Sequence, residues 1–127
     1  MSHWVSIQTL VKDIHALRES CQELGLTLIT NGQARGYAGR TVPAEYVVQL
    51  KGPYDIAVTS HENGMFTLTT DWWEGHVEKE VGKNYGKLLQ LYGVHKTIRE
   101  AKRKGYTVSR KTIAHDGSIK LVLGGVK

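Results

Sequence analysis

The sequence predicts an α+β fold, in which a mostly antiparallel sheet with helices on one face forms a single two-layer domain over residues 1–127. Short alternating apolar runs separated by turn residues are typical of antiparallel strands. Two longer segments, residues 14–24 and 81–98, place apolar side chains at helical spacing. A chain of 127 residues, 40% of them hydrophobic, is large enough for one core and too short for two domains.

The first part of the chain is predicted to be strand, helix, strand. Residues 5–11 alternate between more and less apolar side chains, as in a strand. Asp13 is a typical N-cap residue for the helix that follows, and Gly25 is suited to end that helix in the left-handed conformation. Residues 26–30 then read as a second short strand.

The middle of the chain is predicted to contain hairpins. Asn31–Gly32 is predicted as a turn, and residues 33–43, rich in Gly and Arg, as an irregular loop or a weak strand. The Asn63–Gly64 pair, flanked by alternating apolar residues, gives the strongest hairpin signal in the chain. Three strands are predicted in this part, at residues 44–50, 54–60 and 65–71.

The last part of the chain changes from a strand period to a helical period. Gly82, Gly86 and Gly93 weaken the helical pattern of residues 81–98 and favour its division into two helices. Gly105 ends the helical region. A final hairpin is predicted from strands at residues 106–114 and 118–123, joined across Asp116–Gly117.

A short internal similarity leaves open whether the fold is duplicated. Leu24–Leu28 and Lys104–Val108 each end a helix with Gly and start a strand in the same register. Two pseudo-repeated strand-helix-strand halves would explain this similarity. Chance is the alternative, since Gly commonly follows the end of a helix.

Two adjacent tryptophans, Trp72 and Trp73, are the most informative side chains in the sequence. Successive side chains of a strand point to opposite faces, so one indole is expected outside the main core if the strand continues through them. An exposed Trp is typical of surfaces that bind another protein. The neighbouring Asp71 and His76 extend this predicted contact surface.

Asp71 and His76 also have an alternative interpretation as an acid/base pair, because a carboxylate can orient an imidazole that titrates near neutral pH. A structural interpretation competes with it. Asp71 and Glu74 have the spacing of a capping box, in which an Asp side chain accepts a hydrogen bond from an early helical amide.

The segment from Arg35 to Arg40 is a second candidate binding surface. Its glycines allow a close approach of backbone to a ligand, and Arg35 and Arg40 have the forked geometry that holds phosphate or carboxylate, with Tyr37 between them. A strand connection that uses Gly for bulged or left-handed geometry is the structural alternative.

The chain carries a formal net charge of +5, most of it near the C-terminal end. A nucleic-acid-binding module is therefore an alternative function, with phosphate contacts from the basic segment 96–111. Solvation of a helix face, with Lys and Arg near its C-terminal end opposing the helix dipole, is the favoured structural alternative for these residues. The candidate phosphate contacts are Lys96, Arg99, Lys102, Arg103, Arg110 and Lys111.

The sequence contains no signature of a cofactor, a metal site or a catalytic nucleophile. There is no dinucleotide fingerprint, phosphate-binding loop or nucleophile elbow, and the histidines lack the spacing of a metal motif. Cys21 is the only cysteine, which excludes an intramolecular disulfide. No signal peptide or membrane-spanning run is expected, so a cytoplasmic protein without membrane contact is predicted.

Several short motifs together resemble the hypothetical chloroplast reading frame 35 family, and they extend over nearly the whole chain. The motifs are Met1–His3, Leu24–Gly25, Arg35–Tyr37 followed by Gly39, Tyr54–Ile56, Asp71–Trp73, Gln90–Tyr92 and Gly117–Ile119. This is a family of small proteins of unknown function. The resemblance implies a cytoplasmic or plastid-stromal location and an AAA+ ATPase as a candidate partner.

From these features we expect a non-enzymatic binding or adaptor subunit of a larger complex. The favoured contact surface consists of Asp71, Trp72, Trp73 and His76, and the second of Arg35, Tyr37 and Arg40. The alternatives are a nucleic-acid-binding module and an acid/base enzyme at Asp71 and His76.

Overall fold

A computed structural model describes residues 3–112 and 118–125, without the side chains of residues 111 and 112. Five strands form one antiparallel sheet in the order β1-β5-β4-β3-β2, and two further strands form a separate antiparallel pair. The predicted α+β class with a mostly antiparallel sheet is confirmed. The strands are β1 (Trp4–Gln8), β2 (Thr27–Arg35), β3 (Thr41–Gln49), β4 (Ile56–Ser60), β5 (Phe66–Asp71), β6 (Thr107–Thr112) and β7 (Ile119–Gly124).

The helices are α1 (Ile14–Glu23), α2 (Glu78–Val81) and α3 (Gly86–Arg103). As predicted, the Asp13 side chain caps α1 by accepting hydrogen bonds from the amides of His15 and Ala16. Gly25, with φ of +78°, follows the end of that helix. None of the helices in the described part of the chain has both the length and the apolar character needed to cross a membrane.

The main core lies between the helices and one face of the five-stranded sheet, as predicted. Leu17 and Cys21 of α1 pack in the same buried cluster as Ile56 and Val58 of β4 and Leu88 of α3. Because these side chains alternate along the strands, the opposite sheet face carries a second, smaller cluster. That cluster contains Ala34, Val47 and Ala57, all of them buried.

The predicted turn at Asn31–Gly32 is wrong, because β2 and β3 form one long hairpin through this region. Of residues 33–43, predicted as an irregular loop or a weak strand, residues 33–35 and 41–43 are strand, and residues 36–40 connect the two strands. The register of the pairing is the same on both sides of Asn31. Asn31 nevertheless has φ of +52°, and this left-handed residue bends the strand. Before the bend Leu28 faces the helices, whereas Ala34, six residues later, faces the smaller cluster.

The remaining predicted elements lie close to their expected bounds. The hairpin at Asn63–Gly64 is confirmed, with both residues at positive φ and His61 N donating to Met65 O at 2.8 Å. The helical region divides after Gly82, where φ is +86°; Gly86 is the first residue of α3, and Gly93 lies inside that helix.

The two strand-helix-strand segments do not occupy equivalent positions. The strand after α1 is the edge strand β2 of the five-stranded sheet, whereas β6, after α3, pairs only with β7 in the described part of the chain. The predicted final strand pair is therefore confirmed, but the two segments are not related by an internal symmetry of the sheet. The predicted turn at Asp116–Gly117 lies outside the described residues.

Candidate functional site

The far half of the β2–β3 hairpin folds back over the sheet face that the helices leave uncovered. The hairpin tip, defined as residues 36–40, belongs to strands at one edge of the sheet. Its Gly36 nevertheless lies directly beneath the indole of Trp4, in the strand at the other edge. The fold-back covers the smaller cluster and brings the tip to the end of β5.

Asp55 fixes the base of the hairpin tip. This residue is 2% exposed, and its carboxylate accepts hydrogen bonds from Arg35 Nε and Arg35 Nη2, each at 2.8 Å, and from the Arg35 amide at 3.0 Å. Arg35 Nη2 also donates to the carbonyl oxygens of Leu50 and Gly52. The forked guanidinium predicted to hold a ligand therefore holds an internal carboxylate.

Asp71 fixes the tip itself and joins three segments of the chain. Its buried carboxylate accepts from the amides of His3 at 2.8 Å, Tyr37 at 3.0 Å and Trp73 at 3.0 Å. The contact to Trp73 corresponds to the Asp71 half of the predicted capping box. The element that follows is a short 3-10 turn with Trp72 in the N-cap position.

Burial raises the pKa of Asp71, but the hydrogen bonds from the three amides outweigh burial and keep that pKa below its ordinary value. A buried ionised carboxylate without a partner would be costly, whereas one that accepts several amides is stable. Asp71 is therefore a fixed anion that positions the backbone around it.

The side chains next to these three amides form an exposed aromatic cluster. Trp73 makes edge contacts with the rings of His3, at 5.2 Å between centroids, and Tyr37, at 5.8 Å. His3 is exposed, Tyr37 is 37% exposed and Trp73 is half-buried. We call His3, Tyr37 and Trp73 the aromatic patch.

The prediction that one indole lies outside the main core depended on the strand continuing through Trp73, and β5 ends at Asp71. Both indoles are partly buried and pack against the main core. Trp72 contacts the buried Tyr85, with ring centroids 4.9 Å apart, so it lies away from the patch.

His76 does not complete an acid/base pair with Asp71. Its ring packs edge-on against Tyr54, with centroids 5.1 Å apart, while both oxygens of Asp71 accept backbone amides. Among the described residues there is no group of three or more His, Cys, Asp or Glu side chains arranged to hold a metal ion.

The basic segment is divided between α3 and β6, and several of its cations are used inside the fold. Lys102 and Arg103 line a cavity of about 780 Å³ between α1 and α3 that also contains the acids Asp13 and Glu19. The Lys111 side chain is not described. Ion pairs join Lys96 to Glu100, Arg99 to Asp13 and Glu19, and Arg110 to Glu23.

The structure thus unites parts of the two surfaces that the sequence predicted separately. Tyr37 of the second surface meets Asp71 and Trp73 of the first, and Arg40 lies exposed in the same hairpin tip. Sequence reasoning missed His3 and Trp4. Their sequence signals were aromatic character beside the first strand and, for His3, its place in the Met1–His3 motif. Neither signal identifies a contact with residues about 70 positions away.

Comparisons with known proteins identify relatives over nearly the whole chain. A family model described as "Protein of unknown function (DUF1257)" matches residues 20–122. The "Uncharacterized protein ycf35" of Guillardia theta is 28% identical over 127 residues, covering 97% of this chain and 96% of the relative. The protein of the same name from Pyropia yezoensis is 28% identical over 126 residues, with the same coverage. No solved structure matches the chain.

Proposed function

The chain belongs to the family described as "Protein of unknown function (DUF1257)", and we propose that it is a non-enzymatic adaptor subunit that binds a partner protein through the aromatic patch. The family membership confirms the resemblance found from the motifs. The observation that carries the proposal is the convergence of three amides, from His3, Tyr37 and Trp73, on the buried Asp71.

This arrangement favours binding because the hydrogen bonds to Asp71 fix the backbone that carries the three aromatic side chains. A patch that is already ordered loses less conformational entropy when a partner binds. Tyr and Trp contribute large contact areas with few rotatable bonds, and they are enriched among residues that dominate protein interfaces. Arg40, exposed in the neighbouring hairpin tip, supplies a charged rim.

The alternatives have less support from the geometry. Catalysis at Asp71 and His76 would need a carboxylate free to meet the imidazole, and the Asp71 oxygens are taken by amides. Nucleic-acid binding by the basic segment would compete with the ion pairs of Arg99 and Arg110. Lys102 and Arg103 remain the best phosphate contacts for that alternative.

The family resemblance suggests an AAA+ ATPase as the candidate partner, in the cytoplasm or the plastid stroma. The test is capture from nuclease-treated and untreated host lysate, followed by measurement of the dissociation constant with the purified partner. Tyr37→Ala is the informative variant. Tyr106→Ala is its matched control, because Tyr106 is similarly exposed, at 43%, and lies away from the patch.

We expect Tyr37→Ala to weaken binding about tenfold or more, as at a residue that dominates an interface, while Tyr106→Ala changes it little. The captured protein should survive nuclease treatment. Equal effects of the two variants would contradict the proposal. Recovery of nucleic acid that depends on Lys102 and Arg103 would favour the nucleic-acid alternative.

A further inference from the structure

In the part of the chain that the structure describes, the strand β1 is an edge of the five-stranded sheet and has no strand on its outer side. Two hydrogen bonds show which residues of β1 bond to β5: Trp72 N donates to His3 O, and Thr9 N donates to Phe66 O. In an antiparallel ladder these bonds alternate, so residues 3, 5, 7 and 9 use the β5 side. The backbone groups of Trp4, Ser6 and Gln8 therefore point to the open edge, and Ser6 and Gln8 are exposed.

Within Trp4–Gln8 this edge has none of the charged residues or prolines that usually prevent pairing with another strand. Natural edge strands carry charged residues, Pro or bulges for that purpose. The ladder of β1 with β5 becomes irregular only beyond Gln8, where Thr9 N donates to Phe66 O and Phe66 N donates to Val11 O. The segment from Trp4 to Val11 contains no charged residue and no Pro. At the other edge, by contrast, β2 is bent by the left-handed Asn31 and its far half is folded over the sheet.

We propose that β1 is a self-association strand, which pairs antiparallel with β1 of a second copy about a two-fold axis at Ser6. This inference is independent of the proposed adaptor surface. In this register Ser6 lies opposite Ser6 of the second copy, and Trp4 lies opposite Gln8 of the second copy. The backbone groups of these residues point to the open edge in both copies, so the two residues of each pair donate hydrogen bonds to each other. The two sheets then become one continuous sheet.

The side chains on the helix side of the edge fit this register. Val5, 44% exposed, comes opposite Ile7 of the second copy, in a position where side chains approach closely. Ile7 borders an apolar groove of about 370 Å³ that is also lined by Leu10, Leu89 and Tyr92. Leu10 is 80% exposed, so the pairing covers apolar surface that is otherwise open to solvent.

A second copy fits this edge better than an unrelated peptide because the match is reciprocal. The small Ser6 lies on the axis, where a large or charged side chain would meet its own copy. Two uncharged strands also approach without local like-charge contacts, although each chain carries a net charge of +5.

The test is the molar mass in solution, measured by light scattering after size exclusion over a wide concentration range. Wild type should reach twice 14.2 kDa at high concentration. Ser6→Lys and Ser6→Glu should each stay at 14.2 kDa under those conditions, because like charges then face each other across the axis. Mixing the two variants should restore the dimer as a Lys–Glu heterodimer.

Restoration by mixing separates loss of pairing from loss of folding. Thr67→Lys is the matched control, since Thr67 pairs with Gln8 from the interior strand β5 and should leave the dimer intact. A monomeric wild type at every concentration would overturn the proposal. So would a dimeric Ser6→Lys variant, failure of the mixed variants to associate, or loss of the dimer in Thr67→Lys.

Discussion

At the scale of single residues, Asp71 connects segments of the chain that are far apart in the sequence and holds the backbone of the aromatic patch in place. Its hydrogen bonds span 68 residues to His3 and 34 residues to Tyr37. Gly36 has a related role, because only the absence of a side chain lets the hairpin tip lie under Trp4. A Cβ atom at Gly36 would lie 2.2 Å from Cζ2 of Trp4.

Replacement of Asp71 by Asn should lower the free energy of unfolding at pH 7 by about 1–3 kcal/mol, because one amide-accepting oxygen becomes a donor. The pKa of Asp71 is lowered in the folded state, so its contribution is complete above the ordinary pKa of 3.8 and is lost as pH falls below it. Urea denaturation at pH 7 and pH 3 measures both effects. An equal loss at the two pH values would contradict this role.

Gly36→Ala should destabilise the protein by about 1–3 kcal/mol, as expected for an added methyl group in a filled space. The backbone at Gly36 is extended, with φ of −147°, so the cost arises from contact with Trp4 and not from backbone strain. A double-mutant cycle with Trp4→Ala measures this contact. The cost of Gly36→Ala should fall markedly in the Trp4→Ala background, and an unchanged cost would assign it elsewhere.

At the scale of elements, the helical region of residues 78–103 uses glycine in two different ways. Gly82 has φ of +86°, and a Cβ there would lie 2.7 Å from the amide nitrogen of Lys87, so glycine is required where α2 ends. Gly93 lies inside α3 with open space around it. Nothing in the described contacts of Gly93 requires a glycine.

Gly93→Ala should therefore raise the free energy of unfolding by about 1 kcal/mol, because alanine loses less backbone entropy in a helix. Gly82→Ala, the contrasting variant, should lower it. Thermal or urea denaturation of both variants tests the pair. A destabilising effect of Gly93→Ala would contradict this prediction, because it would mean that an added methyl group disturbs a contact of α3 within the folded chain.

Glu23, at the end of α1, connects two other elements to that helix. It accepts hydrogen bonds from Arg110 of β6 and shares a 2.7 Å contact with His95 Nε2 of α3. The hydrogen bonds from Arg110 lower the pKa of Glu23 to about 2, against the effect of burial and with help from His95. The stabilisation is complete above pH 4.5 and is lost as pH falls towards 2.

An NMR titration of the Glu23 carboxyl carbon should give a midpoint near pH 2 in wild type. Arg110→Met keeps the aliphatic length and removes the donors, so the midpoint should rise towards 4.5. Lys102→Met is the control, because it removes one positive charge without touching Glu23. Similar shifts in both variants would mean that net charge, and not the hydrogen bonds, sets this pKa.

At the scale of the whole molecule, local signals predicted the elements better than they predicted their arrangement. The chain contains two Asn–Gly pairs, and both asparagines adopt the left-handed conformation, Asn63 at +67° and Asn31 at +52°. Only the Asn63–Gly64 pair reverses the chain. Asn31 instead bends a continuous strand. The bend lets the far half of the hairpin bury the smaller cluster, and this packing is not encoded in the Asn–Gly dipeptide.

The candidate site shows the same limit. Its members Tyr37, Asp71 and Trp73 were each found from sequence by residue type. Their contact depends on the fold-back of the β2–β3 hairpin, which no short motif encodes. The expectation of one outward-facing indole depended on a strand alternation that ends where β5 ends, at Asp71, and His76 was included only as a neighbour in the sequence.

The pairing of β1 with β5 also sets an order of events during translation. Trp4 lies opposite Asp71, so β1 is synthesised before β5 and has no partner strand until β5 has followed it. At roughly 5–20 residues per second, this strand waits unpaired for several seconds. On a polysome the uncharged strand is thus presented to neighbouring nascent chains, and a chaperone that holds extended apolar segments would protect it until residues 66–71 emerge.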